Sequence, residues 1–165
     1  MPTPQFILDL RASIGHAPLF LMGITAVVLR ENDGRTRVLL VQRSDTGEWT
    51  PVCGIVEPGE QVHEVAVREV LEEAAVDARI ERLVWVKTYP MITYPNGDQS
   101  EYVNHTFRMH WAGGDPTAAD DESVAAAWFD VDALPPMRVE FTERIEQVLL
   151  DEPGVLFGPL PGVRA

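Results

Sequence analysis

The chain has 165 residues, of which 45% are hydrophobic and 24% charged; this composition suits one globular domain and excludes a disordered or collagen-like chain. Acidic residues outnumber basic ones by 26 to 13, and the net charge of −13 argues against a general nucleic-acid-binding face. Cys53 is the only cysteine, which excludes an internal disulfide framework and a cysteine-rich zinc site. With no secretory signal and no apolar stretch of membrane length, we expect a cytoplasmic protein.

The first part of the chain predicts a short helix followed by a β-hairpin. Apolar residues at helical spacing predict an amphipathic helix over residues 5–14. The β-branched segment 23–30 predicts a buried strand, and an Asp-Gly turn signal predicts that segment 38–42 returns antiparallel to it. Residues 49–52 predict a short extended piece that is interrupted by a proline.

The rest of the chain predicts a long helix, three more strands and a closing helix. Residues 60–75 contain no Gly or Pro and are mostly good helix formers. Strands are predicted over residues 78–89, 102–111 and 126–131, and an amphipathic helix over residues 139–150. This order of elements predicts an α/β fold, an α/β/α sandwich around a mixed sheet.

Three carboxylates share one side of the helix predicted over residues 60–75. At 100° per residue from residue 60, Glu72, Glu69 and Glu73 fall at about 120°, 180° and 220°. Such a row is usually a solvated surface, but this helix has no lysine to pair with it. Clustered carboxylates suit a hard cation such as magnesium. A neighbouring arc of apolar residues is predicted to be the buried face: Ala66, Val67, Val70, Leu71 and Ala74.

The segment from Gly54 to Val76 resembles the Nudix box, G-x5-E-x7-R-E-U-x-E-E-x-G-U, in which U is aliphatic. A chance match of the six fixed letters before the last glycine has a probability on the order of 10⁻⁷ per start position. Ala75 stands in place of that last glycine, where a left-handed helix cap would be favoured. The matching residues are Gly54, Glu60, Arg68, Glu69, Glu72 and Glu73.

The resemblance implies a Nudix-type sandwich and a magnesium-dependent hydrolase. Its substrate would be a nucleoside diphosphate linked to another group, either an ADP-ribose-like nucleotide sugar or a nucleoside triphosphate, cleaved at a pyrophosphate bond. We assign residues 1–22 to an N-terminal helical flank, 23–152 to the Nudix domain and 153–165 to a Pro/Gly-rich tail. The main alternative is a catalytically silent Nudix-fold nucleotide-binding module, which loss of a box glutamate would mark; all are present here.

The resemblance also assigns roles to the residues of the box. Glu69, Glu72 and Glu73 would be catalytic and would hold magnesium, with manganese as the alternative cation. Arg68 would be structural, orienting the glutamates. Gly54 would let the loop backbone approach the metal.

The roles of several other polar residues stay open at this stage. Glu60 would be either an anchor at the helix start or an outer metal ligand. The general base would come from the box or from a later loop, where Asp120, Asp121 and Glu122 are the candidates, with Glu122 preferred. Arg43 would hold a substrate phosphate or form a surface ion pair.

Two further predictions concern aromatic and apolar residues. Tyr89, Tyr94, Trp111 and Trp128 could supply a base-stacking wall, although most aromatic residues belong to a core. The apolar N-terminal flank must bury one face, either on its own domain or on a second copy of the chain. We favour a homodimer because closed two-fold dimers are the commonest assembly.

Overall fold

The computed structural model describes residues 3–119 and 122–160. No helix in these two ranges is long and apolar enough to cross a membrane. The elements of the described chain are, in order, α1 (Gln5–Ile14), β1 (Leu19–Asn32), β2 (Arg35–Arg43), β3 (Trp49–Thr50), β4 (Val52–Ile55), α2 (Val62–Ala74), β5 (Asp77–Thr93), β6 (Gln99–Gly113), β7 (Ser123–Asp130), α3 (Val139–Leu149) and β8 (Leu156–Phe157).

One mixed sheet forms the middle layer. Its strand order is β3-β2-β1-β6-β5-β8, with β4 also paired to β1 and β7 also paired to β2. Strands β1 and β6 run parallel over a long register, from Leu19 opposite Ser100 to Leu29 opposite His110. The pairs β1–β2 and β5–β6 are antiparallel, which confirms the hairpin predicted for the first two strands.

Helices α2 and α3 cover opposite faces of this sheet. Successive residues of β1 point to opposite faces, so one strand contributes to two cores. The core under α2 includes Ile24, Ala26 and Val28 with Val65, Ala66 and Val70, and the core under α3 includes Val27 and Leu29 with Ile145 and Val148. The predicted α/β/α sandwich is therefore confirmed.

Two segments form strands that the sequence did not predict. Strand β1 begins at Leu19 rather than at residue 23, because residues 19–22 pair with β6 and so belong to the sheet. Residues 156–157 form β8 beside β5, within the segment assigned from the sequence to a Pro/Gly-rich tail. A strand of two residues has no periodicity that a sequence pattern could reveal.

Helix α1 folds back on its own domain. Ile7 is buried, and the guanidinium of Arg11 donates to the carbonyl of Gln99 in β6 at 2.7 Å. Three apolar side chains of this helix remain exposed: Leu8, Leu10 and Ile14.

Helix α2 ends at a left-handed residue, as the final glycine of the box would predict. Ala75 has φ 53° and ψ 31°, and its N–H donates to the carbonyl of Leu71. Ala75 therefore adopts a conformation that carries a steric penalty for alanine but not for glycine.

Candidate active site

Helix α2 turns part of its acidic side toward the protein interior. Glu69 and Glu73 are buried, with only 2% and 6% of their surface exposed. Val67 and Leu71, which the sequence predicts in the buried face, are instead 38% and 52% exposed. The prediction is wrong for these two residues, because the packed face includes the carboxylates instead; it is confirmed for Ala66, Val70 and Ala74.

Gly54 of β4 provides the space for the Glu69 carboxylate. A Cβ atom at this position would lie 2.5 Å from Cγ and 2.6 Å from Oε1 of Glu69. Gly54 has no positive φ and is paired in the sheet opposite Ile24 of β1. The requirement for glycine is therefore steric: the backbone and the buried carboxylate approach too closely for any side chain.

Arg68 connects the row of carboxylates to the turn before the helix. Its Nη1 donates to Glu69 Oε1 at 3.0 Å and to Glu72 Oε2 at 2.8 Å. Its Nη2 lies 3.2 Å from Glu60 Oε1, and Glu60 also accepts a hydrogen bond from the N–H of Glu57. Glu72 is half exposed in this arrangement. Arg68 thus fixes the carboxylates of α2 relative to Glu60, which lies in the turn before this helix.

Burial changes the ionisation of Glu69. Its pKa is raised to about 7, chiefly because the carboxylate has lost water, and the Arg68 guanidinium only partly opposes this shift. The carboxyl group therefore holds a proton for part of the time near neutral pH. A cation placed against it would favour the ionised form.

A cleft of about 1350 Å³ opens beside α2. Four of the predicted site residues line it: Arg43, Gly54, Glu73 and Glu122. The structure does not bring the other four to the cleft wall, namely Glu60, Arg68, Glu69 and Glu72. Asp120 and Asp121 lie outside the described residues.

Arg43 reaches the cleft already paired with a carboxylate. Its Nε donates to Asp45 Oδ1 at 2.9 Å and its Nη2 to Asp45 Oδ2 at 2.6 Å. This pairing lowers the pKa of Asp45 to about 2 and raises the pKa of Arg43. Much of the charge predicted to attract a phosphate is thus compensated within the chain.

The aromatic residues named from the sequence divide into two groups. Tyr89 and Tyr94 line the cleft. The rings of Trp111 and Trp128 instead flank the guanidinium of Arg30, with centroids 5.3 Å and 4.5 Å away, and neither ring lines the cleft. Only the two tyrosines are placed where a substrate could touch them.

Arg144 of α3 is a cleft residue that the sequence reasoning missed. Only 6% of its surface is exposed, and its guanidinium donates to Thr25 Oγ1 at 2.9 Å and to Tyr89 Oη at 3.0 Å. One sequence signal was available. Arg144 shares the helical phase of the apolar residues Phe141 and Val148, so this face of α3 carries a cation inward.

The carboxylates of α2 suit a divalent cation without forming a complete cage. Among residues 3–119 and 122–160, no three His, Cys, Asp or Glu side chains lie close enough together to enclose a metal ion. Magnesium, however, commonly uses one or two carboxylates and completes its shell with waters and substrate phosphates. Glu69 and Glu73, buried one helical turn apart, supply such a pair of hard oxygen donors. The donor set therefore fits magnesium.

Comparison with known proteins identifies the family. The NUDIX domain family matches residues 21–149, which include every element from β2 to α3 and nearly all of β1. The chain belongs to the Nudix family.

Three proteins that are similar to this chain illustrate the variety of the family. An "NAD-capped RNA hydrolase NudC" of Chromobacterium violaceum is 32% identical over 67% of this chain, which spans only 41% of that relative. A "Putative 8-oxo-dGTP diphosphatase" of Bacillus subtilis is 32% identical over 71% of both chains. The crystal structure of an ADP-ribose pyrophosphatase from Streptococcus suis has a TM-score of 0.64 at 22% identity, covering 83% of this chain and 98% of that one. The chain spans less than half the length of several curated relatives that it matches.

Proposed function

We propose that the protein is a magnesium-dependent Nudix hydrolase that cleaves a pyrophosphate bond in a nucleoside diphosphate linked to another group. The observation that carries this proposal is the packing of α2, which buries Glu69 and Glu73 while Leu71 stays exposed. Burying carboxylates is costly, and Arg68 offsets only part of this cost at Glu69, whose pKa stays raised to about 7. A helix that served only stability would bury the leucine, so this arrangement favours a site for a cation.

Glu69 and Glu73 would hold the magnesium ion, with manganese as the alternative. Glu72 would join them by leaving its contact with Arg68, which holds it at 2.8 Å. When bound, the cation neutralises charge on phosphate oxygens and lowers the pKa of a coordinated water. It also explains how a chain of net charge −13 attracts an anionic substrate.

The remaining predicted residues would have supporting roles. Glu122 is our candidate for the general base because it lines the cleft, and its carbonyl accepts a hydrogen bond from the N–H of Ser44 at 2.7 Å, which positions its loop. Arg68 and Glu60 would orient the carboxylates, since they join the turn before α2 to the acidic row.

The substrate would be either a nucleoside diphosphate sugar such as ADP-ribose or a nucleoside triphosphate. The names of the three similar proteins refer to NAD-capped RNA, 8-oxo-dGTP and ADP-ribose. They support a nucleotide substrate without choosing between the two classes. The cleft volume is ample for a nucleotide, and Tyr89 and Tyr94 offer it aromatic rings.

A hydrolysis screen tests the proposal. The full chain would be incubated with nucleoside triphosphates, ADP-ribose and other nucleoside diphosphate derivatives, with magnesium or with EDTA, and the phosphate products measured. We expect hydrolysis of at least one class with magnesium and none with EDTA. Nucleotide binding without turnover would identify the silent module instead.

We also propose that the protein is a cytoplasmic homodimer. The unpaired Cys53 favours the cytoplasm, and the exposed side chains of α1 and the start of β1 could form an interface. Sedimentation at micromolar concentration should show a dimer that the double substitution Leu10→Lys and Ile14→Lys weakens. A monomeric wild-type chain would contradict the dimer.

A further inference from the structure

Arg144 is a buried cation whose hydrogen bonds go only to uncharged groups. Its oxygen acceptors are the hydroxyls of Thr25 and Tyr89. In the described part of the chain no carboxylate lies within 4 Å of its guanidinium, and the adjacent Glu143 pairs with Lys87 instead. Burying a charge is costly unless an opposite charge compensates it. The position of Arg144 therefore favours an anion, which no described carboxylate supplies within ion-pair distance.

A buried network of hydrogen bonds fixes the guanidinium in place. Thr25 Oγ1 accepts from Arg144 and also from the side-chain amide of Asn104 at 3.1 Å. The carbonyl oxygen of that amide accepts in turn from Thr106 at 3.1 Å. With Thr25 accepting twice, its own hydrogen is free for Cys53 Sγ at 3.5 Å. The site is thus organised before any ligand arrives, which lowers the entropy lost on binding.

The same guanidinium keeps donors that face the cleft. The rings of Tyr89 and Phe141 lie 4.5 Å and 5.1 Å from it, and all three residues line the cleft. A guanidinium has five N–H donors. Nε and Nη1 donate the hydrogen bonds to the two hydroxyls. Nη2 donates to no described residue, and it is not fully buried either. Nη2 is therefore open to the cleft.

We infer that Arg144 is a substrate-binding residue that recognises a phosphate group at an anion subsite separate from the carboxylates of α2. An anion is favoured over a neutral acceptor because the rings of Tyr89 and Phe141 compensate the buried charge only in part, and the two N–H donors of Nη2 can each meet a phosphate oxygen. Burial raises the pKa of Tyr89, so its phenol stays neutral and does not take the place of that anion. That the phosphate belongs to a nucleotide rests on the proposed function.

Binding of inorganic pyrophosphate in EDTA tests this subsite without turnover. Isothermal titration calorimetry would compare the wild type with Arg144→Lys, which keeps a positive charge, and with Arg144→Met. Arg37→Lys is the matched control, because Arg37 pairs with Asp130 outside the cleft. Arg43→Lys asks whether a second cleft arginine carries the binding instead. Thermal unfolding checks the fold of each variant, and Arg144→Lys decides the question if Arg144→Met does not fold.

We expect Arg144→Lys to weaken pyrophosphate binding by about tenfold, because an ammonium group cannot replace a paired contact, and Arg37→Lys to leave it unchanged. In the hydrolysis assay Arg144→Lys should raise KM by a similar factor and change kcat little. The inference fails if the wild type does not bind pyrophosphate, or if Arg43→Lys abolishes binding while Arg144→Lys does not. The calorimetry needs no hydrolysis, so its outcome is independent of the proposed activity.

Discussion

Two sites of opposite charge lie at the cleft or directly beside it, and the chain builds them in different ways. The carboxylate site, formed by Gly54, Glu69 and Glu73, comes from one strand and the helix that follows it. The guanidinium site, formed by Thr25, Tyr89 and Arg144, comes from β1, β5 and α3, and its two most distant residues are 119 positions apart. A site whose parts are close along the chain leaves a spacing pattern in the sequence. A site assembled by the fold does not.

The largest expected effect comes from removing a charge at the carboxylate site. We expect Glu73→Gln to lower magnesium-dependent turnover by orders of magnitude, because a cation ligand would be lost. The fold should survive, since the substitution also relieves repulsion between neighbouring acids. Turnover of the best substrate and circular dichroism would measure the two effects.

Glu64→Gln is the matched control for this substitution. Glu64 lies on the same helix but is exposed in its first turn. Near-wild-type turnover in Glu73→Gln, or an equal loss in both variants, would contradict the assignment of Glu73.

The second prediction tests the close approach of Gly54 to Glu69. Gly54→Ala would place a Cβ atom 2.5 Å from Glu69 Cγ, so the carboxylate must move. We expect a loss of about 1–3 kcal/mol in the free energy of unfolding and a large loss of turnover. Gly113→Ala is the control, since its Cβ would meet only Asp77 Oδ2 at an ordinary 3.7 Å. If both variants lost the same stability and the same turnover, the steric requirement for glycine at position 54 would be contradicted.

The sequence predicted the residues of the carboxylate site but not the arginine of the guanidinium site. The Nudix box located Gly54 and the three glutamates, because their spacing along one segment is fixed. Helix periodicity did not show that Glu69 is buried and Leu71 exposed, since hydrophobicity alone assigns the aliphatic side chain to the core. The box gave no indication of Arg144, whose acceptors on β1 and β5 become neighbours only through the sheet and α3. For Arg43 the sequence left two alternatives, a phosphate ligand or a surface ion pair, and its contact with Asp45 is such an ion pair.

The third prediction uses the raised pKa of Glu69. In the metal-free protein its folded-state pKa of about 7 exceeds the ordinary value of 4.5, so the protonated form favours folding. This stability is fully present below about pH 4.5 and is lost as the pH rises through about 7, on the order of 3 kcal/mol in all. Glu69→Gln should remove this dependence, and urea unfolding in EDTA at pH 5 and pH 8 would measure it. An unchanged pH profile would show that Glu69 is not the group responsible.

The smallest expected effect lies at the end of α2. Ala75 is left-handed, with φ 53°, so Ala75→Gly should stabilise the protein by about 1 kcal/mol. This corresponds to a rise of roughly 2–4 °C in the melting temperature. Ala74→Gly, at a buried helical position, should lower the melting temperature instead. A fall for Ala75→Gly would mean that the left-handed cap carries no strain.

The most direct test of the two-site account is the binding of Mn²⁺ alone, followed by electron paramagnetic resonance of the free ion. Wild-type protein should bind Mn²⁺, Glu73→Gln should weaken the affinity at least about tenfold through the loss of a charged ligand, and Arg144→Lys should leave it unchanged. Cation binding would then depend on the carboxylate site and not on the guanidinium site. Equal Mn²⁺ affinity in the wild type and Glu73→Gln would contradict the account.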